Sequence, residues 1–258
     1  MIAIEKLNDH IHYFNVPYKD IFVGIYVIKT DKGVVLFDTA ACDADVDNWI
    51  VPALAQLGVT PTHIFISHNH TDHAGGLARA AAVFPDAVIL SRSEELMQAY
   101  PNVHSPKDCE QFLDVLQVVT IPGHTQDCAA ILDLRTNTLV SGDCLQSYGI
   151  YGSGYWYANI TFPAEHFAAV EKVRKLKIDT IATAHDYHPV GMISRDAESI
   201  ALRLDSCLEA LNRVRRIAEE HPDLEPIPVA KLCNDGTLPQ VASKVIVAMR
   251  KAVAEGKL

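Results

Sequence analysis

His68-Asn69-His70-Thr71-Asp72-His73 sets three imidazoles and a carboxylate within six residues, directly after the apolar run Ile64-Phe65-Ile66. A short apolar run ending in a polar loop is how an α/β protein delivers reactive side chains from a buried strand. Neutral imidazole is the commonest ligand for zinc and similar metals, and carboxylate is its natural companion. On a tight loop from strand to helix, alternate residues can face one ion while the Asp-His pair faces a second. A merely solvated polar loop is the weaker reading, because histidine is too uncommon to cluster this way without a use.

The chain on either side alternates β and α signals. Ile21 to Thr30 and Gly33 to Phe37 flank the polar Asp31-Lys32-Gly33 turn and read as a hairpin. Val46, Trp49, Ile50, Ala53, Leu54 and Leu57 recur at helical spacing, and Gly58 stops that helix. A strand is expected from Ala87 to Leu90, and Ser91 or Ser93 caps the short helix after it. Three strands follow at Val115 to Ile121, Ala129 to Leu134 and Thr138 to Val140. A helix from Pro163 to Lys175 and a β-rich run from Asp179 to Thr183 complete the alternation. The tail predicts a long amphipathic helix from Ile193 to Glu220, a Pro-punctuated stretch, and a last helix from about Gln240 to Ala254. That apolar stripe is expected to pack on its own domain, with a homodimer contact as the alternative.

Composition narrows the class. A chain of 258 residues with 49% hydrophobic and 21% charged residues builds a sizeable core and is not disordered. The net charge of −10 argues against a protein that coats nucleic acid. No run of about 20 apolar residues suggests a membrane helix. The start, Met1 to Asn15, mixes Glu5, Lys6, Asp9 and His10 into its apolar residues and does not read as a signal peptide. A cytoplasmic location is therefore expected. The six cysteines form no CxxC pair and read mostly as buried free thiols.

Further candidates sit where predicted strands end: Pro122-Gly123-His124-Thr125, Ser141-Gly142-Asp143 and Ala184-His185-Asp186. The ordered set HxHxDH, GHT, SGD and a late His resembles the metallo-β-lactamase-fold hydrolase superfamily, from about Gly24 to His185. The resemblance implies an α/β (α+β) fold, a four-layer αββα sandwich with additional C-terminal helices. It divides the chain into a catalytic domain over residues 1–192 and C-terminal helices over 193–258 packed on the same domain. It assigns His68, His70 and His124 to one metal ion and Asp72, His73 and His185 to a second, with Asp143 bridging both. Asp38, in Leu36-Phe37-Asp38-Thr39, matches the family's early strand-end Asp, in a supporting role. The family's last motif is often Gly-His-Gly, whereas this chain has Ala184-His185-Asp186-Tyr187-His188. Coming directly off the predicted strand, His185 is the preferred ligand and His188 the alternative. The remaining histidines, including His166, match no motif and are expected at the surface or in local hydrogen bonds.

Two divalent ions, zinc first with iron or manganese as alternatives, imply a bridging hydroxide as nucleophile. Asp72 is then placed to orient it and pass a proton to the leaving group. A bridging Asp is typical of the family's thioester, lactone and phosphodiester hydrolases rather than its true β-lactamases. Tyr148, Tyr151, Tyr155, Trp156 and Tyr157 crowd one short Gly-rich segment. They either pack on the domain or a subunit contact, or form an aromatic wall over the metals. In the second case Tyr148, Tyr151 or Tyr155 donates to a developing oxyanion. Arg250-Lys251 is a poor match to the basic cluster of glyoxalase-II-like enzymes, so lactones and small esters rank above glutathione thioesters. The reading is a hydrolase of a small-molecule carboxylic ester, lactone or thioester. Its rivals are a phosphodiesterase on the same site and an iron oxidoreductase of the same fold, either a persulfide dioxygenase or a diiron enzyme.

Overall fold

The computed structural model describes residues 1–150, 157–234 and 241–258. Its strands fall into two sheets, of seven and six strands. The chain divides into two compact units: Met1–Thr120 with Ala129–Arg135, and Ile121–Cys128 with Thr136–Leu258.

The first unit is built on a sheet running in chain order: β1 (Glu5–Lys6), β2 (Ile11–Tyr18), β3 (Ile21–Lys29), β4 (Val34–Phe37), β5 (His63–Ile66), β6 (Val88–Ser91) and β7 (Val103–His104). The first four strands pair antiparallel, including the expected β3–β4 hairpin, and the rest pair parallel. Parallel strands are covered on both faces and so read as unbroken apolar runs. Ile64, Phe65 and Ile66 are accordingly buried, and Phe65 stacks on Phe37 with ring centroids 5.3 Å apart. Burying each such side chain contributes about 1.5–3 kcal/mol.

The β4–β5 crossover holds α1 (Asp43–Asp45), a π turn (Val46–Ile50) and α2 (Val51–Leu57). Gly58 ends α2 at φ 65°, a left-handed conformation that glycine adopts without strain. Short helices α3 (Thr71–Ala74), α4 (Leu77–Val83) and α5 (Glu94–Ala99) follow, and Ser93 caps α5 by accepting the Leu96 N–H. Strands β8 (Gln111–Phe112), β9 (Leu116–Thr120) and β10 (Ala129–Asp133) form an antiparallel meander.

In the second unit, β11 (Thr138–Gly142) and β12 (Thr180–Tyr187) pair parallel, and β13 (Gly191–Ser194) returns antiparallel to β12. Four helices accompany them among the described residues: α6 (Pro163–Val173), α7 (Ala197–Glu220), α8 (Pro226–Leu232) and α9 (Ser243–Ala254). The long tail helix starts later than its apolar spacing suggests. Ile193 lies in β13, and Asp196 opens α7 with a capping box to Ser199. The Pro-punctuated stretch contains α8, because a proline in the first turn of a helix lacks only an N–H that has no partner there anyway. Helices α7, α8 and α9 share an apolar cluster that includes Leu211, Val214, Val229, Ile246 and Met249. Fully buried Arg203 ties α7 to β13, its Nε donating to Ser194 Oγ at 2.9 Å and its Nη2 to the Gly191 carbonyl at 2.5 Å. Among the described residues no helix is long and apolar enough to cross a membrane.

Candidate metal centre

In the first unit the chain bends at Ser67 and Asn69 after β5, and His70 has an extended conformation (φ −79°, ψ 152°) before α3 begins. His68 Nε2 and His70 Nδ1 lie 3.0 Å apart, while the Asn69 side chain donates to Glu95 Oε2 at 2.7 Å. Asp72 and His73 then occupy the single turn of α3, with His73 Nε2 3.6 Å from Asp72 Oδ2. Thr39 holds that turn, donating its N–H to the His73 carbonyl at 2.7 Å and its hydroxyl at 3.0 Å.

Beneath these histidines lies Asp38, fully buried and held at φ 66°, a conformation a non-glycine residue keeps only when its surroundings impose it. Its Oδ1 accepts the Ser67 N–H at 2.7 Å, and its Oδ2 accepts the Ser67 hydroxyl at 2.9 Å and lies 2.7 Å from His73 Nδ1. Burial pushes the Asp38 carboxyl up, opposed by His73 and the Ser67 donors. A hydroxyl has one proton, and Ser67 gives it to Asp38. Toward His68 Nδ1, 3.0 Å away, the Ser67 oxygen must therefore accept. His68 and His73 both then carry their proton on Nδ1, and each keeps an Nε2 lone pair. One carboxylate thus sets two tautomers.

In the second unit, β11 and β12 run parallel with Gly142 opposite Thr183. Asp143 follows Gly142 and His185 lies two residues past Thr183, so both reach the same strand ends. His185 Nε2 lies 3.3 Å from Asp143 Oδ1, and His124 Nε2 lies 3.6 Å from Asp143 Oδ2. All three residues are buried. The loop bearing His124 is fastened to the segment before α6. The Gly123 carbonyl accepts the Thr161 and Phe162 N–H groups, Thr161 Oγ1 donates to the His124 carbonyl, and His124 Nδ1 reaches the Asn159 carbonyl at 2.6 Å.

Gly123 lies against His166, and a β-carbon at position 123 would run into that imidazole. Gly123→Ala is expected to cost about 1–3 kcal/mol by overpacking. A lowered thermal midpoint of the metal-chelated protein checks this. His166 itself corrects the expectation of a surface or locally bonded residue. It is 1% exposed, and its Nδ1 meets no hydrogen-bonding partner among the described residues.

His188 stands apart from this set, joined through its backbone to Tyr148 and Gly149 with its ring 6.1 Å from that of Tyr148. Tyr148 gives its hydroxyl to Glu209 of α7, and burial together with that carboxylate pushes its ionisation up. Tyr151 and Tyr155 lie outside the described residues, as does Trp156. Cys144 is a buried free thiol. Ser67, Gln146 and Asn159 touch the predicted ligands but carried no motif in the sequence.

These donors fit divalent metal ions. The imidazoles of His68, His73 and His124 each have Nδ1 engaged by an oxygen, which leaves Nε2 for a metal, and carboxylates stand beside them. A chain of this fold with such a donor set is a metallo-β-lactamase-type protein.

The comparison with known proteins gives the same class. The profile described as the metallo-beta-lactamase superfamily matches residues 19–185. The chain belongs to this superfamily. It is similar to the uncharacterised protein YobT of Bacillus subtilis (strain 168), 28% identical over 181 residues that cover 60% of this chain and 75% of that one. It is also similar to a hydroxyacylglutathione hydrolase of Glaesserella parasuis serovar 5 (strain SH0165), 25% identical over 217 residues, 81% of this chain and 85% of that one. A solved metallo-beta-lactamase from Erythrobacter litoralis matches in fold with a TM-score of 0.60 at 17% identity, covering 81% of this chain and 96% of that one. The expected fold class, two sheets with accompanying helices, is thus met.

Proposed function

We propose that the chain is a metal-dependent hydrolase of a small carboxylic ester, lactone or thioester. His68, His70 and His124 would hold one divalent ion and Asp72, His73 and His185 the second, with Asp143 shared. Zinc is the metal that this imidazole and carboxylate set suits first. The observation that carries the reading is Asp143, whose two carboxylate oxygens face two different histidines, Oδ1 toward His185 and Oδ2 toward His124. That division is what a carboxylate shared between two ions requires.

When bound, two such ions supply a water-derived nucleophile at neutral pH and a Lewis acid for the substrate carbonyl. The chain's own residues do the rest. Asp38 and Ser67 fix the orientation of His68 and His73, and Asn159 fixes that of His124. Asp72 is the proposed group that orients the attacking oxygen and returns a proton to the leaving group. Tyr151 and Tyr155 are the proposed oxyanion donors, because the Tyr148 hydroxyl is engaged by Glu209. Relatives named hydroxyacylglutathione hydrolase bring thioesters level with lactones and esters as substrates to test.

The test is turnover by the zinc-loaded protein of ester, lactone and thioester panels, set beside a chromogenic phosphodiester. Hydrolysis of at least one carbonyl substrate, lost on chelation and restored by zinc, is the expected result. Turnover of the phosphodiester alone overturns the reading. So does protein purified without added metal that holds iron and consumes oxygen.

A further inference from the structure

Gln146 lies three residues beyond Asp143, 4% exposed, and its side chain touches three groups of the second unit. Its Oε1 accepts the Asn159 N–H at 2.6 Å. That contact decides which end of the amide is oxygen, since a backbone N–H does not face an NH2 group. Nε2 therefore lies 3.3 Å from Asp143 Oδ2 and 3.0 Å from His124 Nδ1.

The two neighbours of Nε2 are not equivalent. His124 Nδ1 is also 2.6 Å from the Asn159 carbonyl oxygen, a separation that requires a hydrogen between them. Nδ1 is thus a donor, and Gln146 Nε2, a donor too, has no lone pair to meet there. The Gln146 N–H goes to Asp143 Oδ2. One backbone residue, Asn159, in this way holds His124 through its carbonyl and Gln146 through its N–H.

The geometry points to Gln146 as a positioning residue that couples the shared carboxylate to one of the two ion sites, the one held by His124. Its amide marks Oδ2 and leaves Oδ1 facing His185. This inference rests on the two-ion reading of the centre and adds an asymmetry to it. Removing the amide loosens the His124-side ion and spares the other.

The probe is zinc, titrated into chelated wild-type and Gln146→Met protein against a chromogenic competing chelator. Methionine keeps the length of the side chain and loses both polar contacts. One of two binding steps is expected to weaken ten- to hundredfold, the usual effect of removing a group that orients a ligand, while the other stays within about threefold. A merely structural role would weaken both steps together, and that result, or two unchanged steps, overturns the inference. Wild-type protein that binds fewer than two zinc ions overturns the two-ion reading itself. A second measurement needs no variant. Nitrogen NMR of the chelated wild-type protein should show His124 protonated on Nδ1; a proton on Nε2 instead would let Nδ1 accept from Gln146 and overturns the assignment of the Gln146 N–H to Asp143.

Discussion

Asp143→Ala is expected to lower bound zinc from two ions per chain to one or none and to abolish hydrolysis. The carboxylate is 6% exposed and lies between His185 Nε2 at 3.3 Å and His124 Nε2 at 3.6 Å. Of the proposed ligands it is the one assigned to both ions, and it would supply the negative charge that both would share. Its loss should therefore exceed the roughly ten- to hundredfold weakening seen when a group that only orients a ligand is removed. Folding gives the control. With metals chelated, the carboxylate still accepts the Gln146 amide N–H at 3.3 Å, and alanine leaves that buried donor without its acceptor. The chelated variant should then stay folded and lose only about 1–3 kcal/mol of stability against the chelated wild type. Metal analysis and urea denaturation on one preparation separate lost ligation from lost structure. Unchanged zinc content refutes the shared-carboxylate assignment.

The sequence made the proposed ligands legible for a physical reason. Metal ligation needs rare residue types at the ends of strands, and His68 to His73 packs four of them into one turn of chain. Asp38 and His185 were legible in the same way, each beside an apolar run. Ser67, Asn159 and Gln146 were not. Their contribution depends on single polar contacts made after the chain has folded, and a serine after a strand or a glutamine in a loop has many commoner uses. His166 is a different case, because its burial was readable. Pro163, His166, Ala169, Val170 and Val173 form the buried stripe of α6 at helical spacing, so His166 belongs to an apolar face. The tail misled at Ile193 because one apolar residue fits either period, and the cap at Asp196 decides where the helix begins.

His166 should also make the fold acid-sensitive. Burial holds its imidazole neutral and pushes its pKa down from 6.5 to about 4. In the unfolded chain the ring is solvated and takes up a proton below about pH 6.5. The unfolded state therefore binds more protons between pH 6.5 and pH 4, and stability falls with pH across that window. Above about pH 6.5 the ring is neutral in both states and the contribution is constant. At about 1.4 kcal/mol per pH unit, the whole window is worth about 3 kcal/mol, and acidifying from pH 7 to pH 5 costs about 2 kcal/mol. Chelated wild-type protein should lose that much more than His166→Gln or His166→Leu on the same acidification, measured by urea unfolding at constant ionic strength. Chelation matters here, because acid also protonates metal ligands and would add its own loss. Parallel stability curves for wild type and both variants would show that the His166 ring does not set the acid limit. A difference confined to that window would show that the residue wedged against Gly123 does set it, and that the loop carrying His124 is held by a side chain the chain keeps uncharged.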